Sequence, residues 1–350
     1  MNTEIALWLA QDGATSGAIY ALLALALLLV FAVTRVIFVP QGEFVVYAAL
    51  TLGTLQLGRV PATAWLLLGA GATVAAVEAA AAWRERAWPR LPRIALAYLV
   101  LPAAVAGVAA WAAPRAPGLA LQMALTAALV VPLGPLLYRL AYQPLAQGSV
   151  LVLFIVSMAV HYAMMGLALV MFGAEGLRTS AIAGASFALG PVSVGAQSLW
   201  VLGASLASMA ALALYFGRSY GGKALRATAV NRVGARLVGI PPARAGRAAF
   251  TLAAAIGALS GILISPIVTV YYDTGLMIGL KGFVGAILGG MASYPLAALG
   301  ALGVGLLEAF SSFWASQLKE VIVFTFILPV LLWRSLAARA HAVEHEEEDE

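Results

Sequence analysis

Apolar segments long enough to cross a bilayer recur along the whole 350-residue chain, and they restrict it to one class of fold. A helix crosses the hydrocarbon core with about 20 predominantly apolar residues. Backbone polar groups in lipid must be satisfied internally, so only helices and closed barrels span membranes, and uninterrupted apolar stretches of this length favour helices. We therefore predict an all-α, polytopic integral membrane protein with about 9–11 transmembrane helices, some of them broken or re-entrant.

The predicted spans are the apolar segments 13–33, 43–58, 62–83, 94–113, 119–141, 149–172, 197–217, 248–270, 283–309 and 319–335. Charged residues make up 10% of the chain, whereas soluble domains carry about one quarter. This composition excludes an ordinary soluble domain. We expect a single transmembrane domain over 1–340, followed by an acidic C-terminal tail over 341–350.

The charge distribution indicates a membrane orientation rather than a nucleic-acid-binding surface. The net charge is +5, but six of the 15 acidic residues lie in the last seven positions. The rest of the chain therefore carries 20 basic and 9 acidic residues. Loops rich in Lys and Arg stay in the cytoplasm. We expect this basic excess to fix the orientation of the protein in membrane lipid, with no nucleic-acid partner.

The sequence shows neither thiol chemistry nor a complete nucleotide-binding motif. Cysteine is absent, which excludes disulfides and thiolate metal sites. Gly217, Gly222 and Lys223 nearly match a P-loop. However, Ala224 replaces the Ser or Thr that holds magnesium, and the segment follows an apolar span instead of a β-strand. We expect a transport protein without its own ATPase site, metal or cofactor, so that any ATP is bound by partner subunits.

The N-terminus contains Glu4 and Asp12 and no basic residue. A secretory signal peptide begins with a positively charged region. We therefore expect no cleaved signal peptide.

The loop 217–247 is the longest polar segment between two spans. Leu225, Ala229, Val233 and Leu237 lie four residues apart, which predicts one short amphipathic helix. Gly239 follows as a helix C-cap. The loop has no acidic residue, and its basic residues are Arg218, Lys223, Arg226, Arg232, Arg236, Arg244 and Arg247. Either a rigid basic helix here passes force to a cytoplasmic partner, or the segment is an ordinary positive-inside loop.

If the loop 217–247 lies in the cytoplasm, most of the other basic residues between spans also fall on the cytoplasmic side. Arg35, the arginines of 84–93 and Arg139 then fall inside, and the acidic N-terminus, Arg59, Arg115 and the loop 173–196 fall outside. The C-terminus also falls inside if the segment 283–309 is two pieces. Gly289-Gly290 and Pro295 interrupt that segment at the expected place.

Ionisable groups inside apolar segments are functional candidates by default. Glu43 follows a break at Pro40, Gln41 and Gly42, and a broken helix offers backbone groups to a polar substrate near the membrane midplane. The alternative is that Gln41–Glu43 is a loop at the membrane surface. Only the first reading makes Glu43 a candidate for a substrate contact.

The other candidates also have structural alternatives. Asp273 and Lys281 flank 274–280 and could pair with each other or line a vestibule, but we favour a place at the membrane interface. Glu308 is expected to be a buried hydrogen-bond partner near Ser311 and Ser312. Glu78 lies within a turn of Arg84, which predicts a surface ion pair, and His161 is expected to make a structural hydrogen bond.

Small residues recur in the C-terminal half of the chain. Gly257 and Gly261 are four residues apart, as are Gly285 and Gly289. This spacing lets membrane helices approach closely. We expect a tightly packed bundle there.

Six segments, in order, resemble the permease subunits of bacterial branched-chain amino acid ABC transporters. The first is 36–43, where Phe38 replaces the family's Asn before the Gln-Gly-Glu sequence. The second is 139–144. The third is 222–240, where Val230 stands at a position that is commonly acidic. The others are 281–283, 288–295 and 308–312. The resemblance covers about 13–83 and 119–334 and leaves 84–118 as a probable inserted span.

The resemblance implies a channel-forming subunit of an ATP-driven importer in the bacterial inner membrane, for branched-chain amino acids or related small polar substrates. Its implied partners are ATP-binding cassette subunits, a second permease subunit and a periplasmic substrate-binding protein. The expected substrate pathway comprises Gln41, Gly42, Glu43, Lys281, Gly289, Gly290 and Glu308. The expected contacts for ATPase coupling are Lys223, Leu225, Arg226, Ala229, Val233, Leu237 and Gly239.

A stand-alone secondary transporter or channel for a small polar solute is the alternative reading. Such transporters use intramembrane carboxylates as coupling sites, and this chain has few of them. A membrane-embedded enzyme is a third class, but it lacks a converging set of acid, base or metal ligands.

Overall fold

The protein is a bundle of membrane-length helices, as the computed structural model of residues 3–189, 192–291 and 293–332 describes it. The predicted acidic tail 341–350, Arg334, Arg339 and the side on which the chain ends lie outside the described residues. Within the described part, eight helices are long and apolar enough to cross a membrane. The predicted all-α, polytopic class is therefore confirmed.

Five membrane-length helices and one shorter helix, α2, carry the chain to residue 172. They are α1 (Thr3–Thr34), α2 (Gln41–Gln56), α3 (Thr63–Arg84), α4 (Trp88–Arg115), α5 (Leu119–Tyr142) and α6 (Val150–Phe172). A two-stranded antiparallel hairpin follows, formed by β1 (Ser186–Leu189) and β2 (Val192–Gly195), with Phe187 opposite Val194. The segment 84–118, in which we expect an inserted span, holds α4.

The second half contains α7 (Ala196–Arg218), α8 (Tyr220–Val230), α9 (Arg232–Leu237), α10 (Pro242–Ile264), α11 (Thr274–Leu288), α12 (Tyr294–Trp314) and α13 (Lys319–Thr325). We call the end of the bundle that carries 217–247 the cytoplasmic end, after the charge pattern. The expected interruption of 283–309 is confirmed, because α11 ends before Gly289 and α12 begins at Tyr294. Gly290 takes φ +74 in the turn between them, a conformation that suits glycine.

Helix α1 forms the centre of the bundle and packs against α10, α11 and α12. Its side chains from Ile19 to Val30 are all buried. A Cβ atom on Gly13 would lie 2.7 Å from the backbone of Leu306, so α1 and α12 approach at backbone distance. Close approach of this kind replaces the hydrophobic driving force that helices lose in lipid.

The two predicted glycine pairs also lie in close helix contacts. A Cβ atom on Gly257 would lie 2.6 Å from Cβ of Phe44 in α2, and one on Gly261 would strike the carbonyl oxygen of Val45. A Cβ atom on Gly285 would lie 2.5 Å from Cβ of Ala301 in α12. The expectation of a tightly packed C-terminal half is therefore confirmed.

Helix α2 is a half-length helix that begins inside the bundle. After α1, Arg35 takes φ +61 and the chain turns back through residues 36–40, which are buried or half-buried. Gln41 Nε2 then donates to the carbonyl oxygen of Ala253 at 3.0 Å. Ala253 lies eleven residues into α10, about 16 Å from its cytoplasmic start, which is near the middle of a core about 30 Å thick. The structure therefore contradicts the alternative in which 41–43 is a surface loop.

The loop 217–247 contains two helices instead of the single amphipathic helix we predict. Asn231 takes φ −148 and ψ 105 between α8 and α9, and its side-chain oxygen accepts from the backbone N–H of Gly234 at 2.9 Å. An Asn at an N-cap competes with continued helix. The predicted apolar stripe is divided as a result, since Leu225 is buried while Val233 and Leu237 are 70% and 83% exposed.

Replacing Gly261 with Ala is expected to destabilise the bundle by about 1–3 kcal/mol, because the added methyl group overpacks against the backbone of Val45. The matched control is Gly69→Ala in α3, where a Cβ atom meets nothing within 4 Å. Gly69→Ala is therefore expected to stabilise the protein by about 1 kcal/mol, because Ala has the higher helix propensity. Thermal unfolding of the full chain in detergent measures both variants. An equal or higher melting temperature for Gly261→Ala would contradict the packing described here.

Candidate functional site

The N-termini of the half-length helices α2 and α11 meet in the interior of the bundle. A Cβ atom on Gly42 would strike the carbonyl oxygen of Gly275, and one on Gly275 would strike Oε1 of Glu43. The carboxyl group of Glu43 therefore lies in the first turn of one helix and against the first turn of another. Helix N-termini carry a partial positive charge and stabilise a nearby carboxylate.

His161 of α6 is the residue that Glu43 faces. Nδ1 of His161 lies 2.9 Å from Oε1 of Glu43, although the two groups are not aligned as a hydrogen bond. Both side chains are at most 1% exposed. Burying a carboxylate without a partner is costly. His161 is the polar partner nearest to this carboxyl group, so the two side chains form one buried polar centre.

Sequence reasoning did not predict that His161 belongs to this centre. It expects only a structural hydrogen bond from this residue. The signal that could have found it is that an ionisable residue within an apolar span is a functional candidate by default. What sequence cannot supply is the partner, because Glu43 and His161 are 118 positions apart. Only the packing of α6 beside α2 brings them together.

Several polar atoms of this centre have no hydrogen-bond partner within the described residues. They are Oε1 of Gln41, both carboxyl oxygens of Glu43 and both ring nitrogens of His161. Gln41 uses its amide group to hold α10, which leaves its carbonyl oxygen available. The centre thus offers both acceptor and donor atoms at the depth where transporters bind polar substrates.

Aromatic side chains close the centre towards the cytoplasmic end. The ring of Phe38 lies 4.7 Å from that of Phe250, 5.8 Å from Tyr142 and 5.9 Å from Phe44, measured between centroids. Phe38 stands where the resembled family has Asn and is 1% exposed. A buried Asn would need hydrogen-bond partners, whereas Phe38 fills the position by ring packing.

A second polar cluster holds α11 to three other helices. Nζ of Lys281 lies 2.6 Å from Oε1 of Glu308 in α12 and 3.0 Å from Oε1 of Glu320 in α13. The hydroxyl group of Tyr20 in α1 donates to Oε2 of Glu308 at 2.7 Å. One cation therefore faces two carboxylates, and the side chain of Lys281 is only 6% exposed.

Two of the pairings considered from the sequence are wrong. Lys281 pairs with Glu308 and Glu320 instead of Asp273, and Asp273 is exposed. Glu308 is a hydrogen-bond partner as expected, and its partners are Lys281 and Tyr20. These partners come from other helices, which local spacing cannot reveal.

The second wrong pairing is that of Glu78 with Arg84. Oε1 of Glu78 lies 2.5 Å from Nε of Arg139, so this ion pair joins α3 to α5. The side chains of Arg139 and Glu78 are 19% and 26% exposed. The pair is therefore a half-buried link between helices instead of a surface contact within one turn.

Gly289 and Gly290 lie at the far end of α11 from the centre. Gly289 comes fourteen residues after Gly275, about 20 Å along the helix. A Cβ atom on Gly289 would strike the backbone of Ala297, so this glycine allows the turn into α12. The expected pathway residues therefore lie in three places: the Glu43 centre, the Lys281 cluster and this turn.

The cytoplasmic loop presents two different faces. Leu225 packs with Leu29 and Val33 of α1 and with Ala249 of α10, and Ala229 is partly buried against them. Outward-facing apolar residues form a second face, which we call the exposed loop face: Val230, Val233, Leu237 and Val238, between 70% and 83% exposed.

Basic and capping residues complete this loop. Lys223 and Arg226 are also exposed. Gly239 takes φ +85, and the N–H of Ile240 bonds the carbonyl oxygen of Ala235 at 2.9 Å. This geometry confirms the predicted glycine C-cap. The loop is therefore an ordered surface with a defined end.

A family profile matches 103–331, about two thirds of the chain, and carries the description "Branched-chain amino acid transport system / permease component". The chain belongs to this family. The resemblance inferred from sequence is therefore confirmed, and the chain is a transport permease with multiple spans, located in the bacterial inner membrane.

Curated relatives match over part of their length. The high-affinity branched-chain amino acid transport system permease protein LivH of Escherichia coli strain K12 is 35% identical over 136 residues, which cover 38% of this chain and 44% of LivH. BraD of Pseudomonas aeruginosa has the same description and is 35% identical over 128 residues, which cover 36% of this chain and 42% of BraD. The chain therefore matches less than half of each relative's length. No solved structure matches it.

Replacing Lys281 with Met is expected to destabilise the protein by about 3–5 kcal/mol, because Glu308 and Glu320 then face each other without their cation. Adding Glu308→Gln to this variant is expected to restore part of the loss. The control is Arg90→Met, whose ion pair with Glu85 is more than half exposed and worth at most about 1 kcal/mol. Thermal unfolding in detergent measures all three. Equal losses at Lys281 and Arg90 would show that the cluster is not a buried charge network.

Proposed function

We propose that this chain is a channel-forming permease subunit of an ATP-driven importer for branched-chain amino acids or related small polar substrates. Separate ATP-binding cassette subunits supply the energy, and the chain has no ATPase site and no cofactor of its own. A second permease subunit completes the channel, and a periplasmic binding protein delivers the substrate. The membership of the family and the names of its curated relatives support this proposal.

The exposed loop face is the observation that carries the proposal. Val230, Val233, Leu237 and Val238 are large apolar residues in a cytoplasmic loop, and exposed apolar groups of this kind mark sites of protein contact. The loop joins α7 and α10 directly. A motor subunit that docks on this face therefore acts on two spans at once.

The segment that nearly matches a P-loop is not folded as one, which supports the assignment of ATP to another polypeptide. Gly217 lies in the last turn of α7, and Gly222 and Lys223 lie in the first turn of α8. The hydroxyl oxygen of Ser219 accepts from the N–H of Gly222 at 2.9 Å as a helix cap. A phosphate-binding loop needs free backbone N–H groups that surround the anion, and here they are used within the helices.

The Glu43 centre is the proposed point of substrate contact. A zwitterionic amino acid needs an acceptor for its ammonium group and a positive group for its carboxylate. Glu43 and Gln41 supply acceptor oxygens, and the helix N-termini at Gly42 and Gly275 supply a positive potential. In the alternating-access cycle that we propose, motion of the loop 217–247 shifts α10, whose Gly257 and Gly261 hold α2, and so opens the centre.

Coupling is tested by Val233→Ser combined with Leu237→Ser. Both side chains are exposed, so the free energy of unfolding should change by no more than about 0.5 kcal/mol. Loss of two apolar anchors at an interface is expected to reduce recovery of the ATPase subunits at least tenfold. The measurement is purification of the tagged chain in mild detergent, with mass spectrometry and an ATPase assay on the eluate.

The control for this experiment is Leu57→Ser, which lies at the outer end of α2 and is 59% exposed. It should leave the recovery of ATPase subunits unchanged. If the unaltered chain is recovered alone and takes up amino acids in response to a proton gradient, it is a stand-alone secondary transporter. In that case the buried carboxylates become its coupling sites.

Replacing Glu43 with Gln is expected to reduce ATP-driven uptake at least tenfold while ATPase subunits still copurify, because the shape is kept and the negative charge is lost. Uptake of radiolabelled leucine into proteoliposomes containing the whole complex is the measurement. The control Glu85→Gln removes a carboxylate that is 61% exposed and should have no effect. Normal uptake by Glu43→Gln would remove this residue from the substrate pathway.

A further inference from the structure

A cavity of about 720 Å³ lies at the cytoplasmic half of the bundle, between α1, α7, α8 and α12. It is separate from the Glu43 centre and from the Lys281 cluster. Its walls are apolar side chains, among them Leu29, Met209 and Phe216, and its polar members are Arg226 and Tyr294. Binding sites for small molecules have volumes of about 300–1,000 Å³ and predominantly apolar walls.

The cavity is elongated along the bundle axis. Leu206 lines it on α7, twelve residues before the cytoplasmic end of that helix, which corresponds to about 18 Å. Arg226 and Val230 line it on α8, outside the apolar span. The cavity therefore extends from the membrane interior to the cytoplasmic interface. Leu206 is 65% exposed, so the apolar part is accessible from the lipid side.

The charge at its cytoplasmic end is positive. Arg226 is exposed and takes part in no ion pair of the described residues. Lys223, also exposed, lies three positions earlier on α8, on the same side of the helix. The whole loop 217–247 carries seven basic residues and no acidic residue. Basic residues next to a cytoplasmic leaflet attract anionic lipid.

We propose that this cavity binds one anionic phospholipid of the cytoplasmic leaflet. An acyl chain lies along the apolar walls between α7 and α12, and the phosphate group is held by Arg226 and Lys223. The long apolar part of the cavity matches the acyl chain, and its positive end matches the phosphate group. Its opening on the lipid side lets such a molecule enter from the bilayer. The lipid then fills the space beside α8 and fixes the position of the loop that joins α7 to α10. The cavity shares Val230 with the exposed loop face, but binding of a lipid here does not require the proposed importer function.

Native mass spectrometry of the full chain, released from nanodiscs of equal phosphatidylglycerol and phosphatidylethanolamine, tests the proposal. We expect one phosphatidylglycerol to remain bound, at least tenfold in excess over phosphatidylethanolamine. Arg226→Gln is expected to reduce this preference at least fivefold. Arg244→Gln removes an exposed arginine of the same loop that does not line the cavity, and it should leave the preference unchanged.

A second pair of variants tests the position of the acyl chain. Ala213→Trp fills the cavity and is expected to abolish retention of the lipid, whereas Ala211→Trp lies on the same helix outside the cavity and should not. Equal retention of both lipids, or retention by Ala213→Trp, would overturn the proposal. A photo-crosslinker at 213 that captures the ATPase or a second permease instead of lipid would also overturn it.

Discussion

The close contact of α2 with α10 and α11 is the interaction on which the rest of the structure depends. A helix that begins in the middle of a membrane exposes backbone groups, which lipid cannot satisfy and only surrounding protein can cover. Gly257 and Gly261 bring α10 against α2 from one side, and Gly275 brings α11 against it from the other. The same contact places the carboxyl group of Glu43 beside two helix N-termini. The helix contacts that stabilise the bundle therefore also form the Glu43 centre.

Buried charge is handled in two ways in this bundle. The Glu43 centre has one carboxyl group, one imidazole and two helix N-termini, and it leaves polar atoms unpaired within the described residues. The Lys281 cluster is nearly saturated, because its cation bonds two carboxylates and Tyr20 bonds one of them. A saturated network stabilises and links helices, whereas an unsaturated one suits a passing polar solute. This contrast favours the first as the functional centre and the second as a structural link.

Much of the fold could be predicted because it depends on local properties. The spans could be predicted from the length of the apolar segments. The break before Gln41 is indicated by Pro40 and Gly42, and the end of α9 is indicated by Gly239. The single helix predicted for 217–247 was wrong, because its four-residue periodicity ignores the capping ability of Asn231. The partners of Glu43, Lys281 and Glu78 were also beyond prediction, since each lies on a different helix far away in sequence.

The sequence by itself determined that this chain is a polytopic membrane protein, where its helices break, which loop is basic and which family it resembles. These properties follow from hydropathy, from turn chemistry and from motifs in order along the chain. Only the tertiary structure decided that His161 faces Glu43, that Glu320 joins Lys281, and that Leu225 is buried while Leu237 is exposed. The physical reason is that a side chain's partner in a bundle is set by how helices pack, and packing depends on all of the helices together.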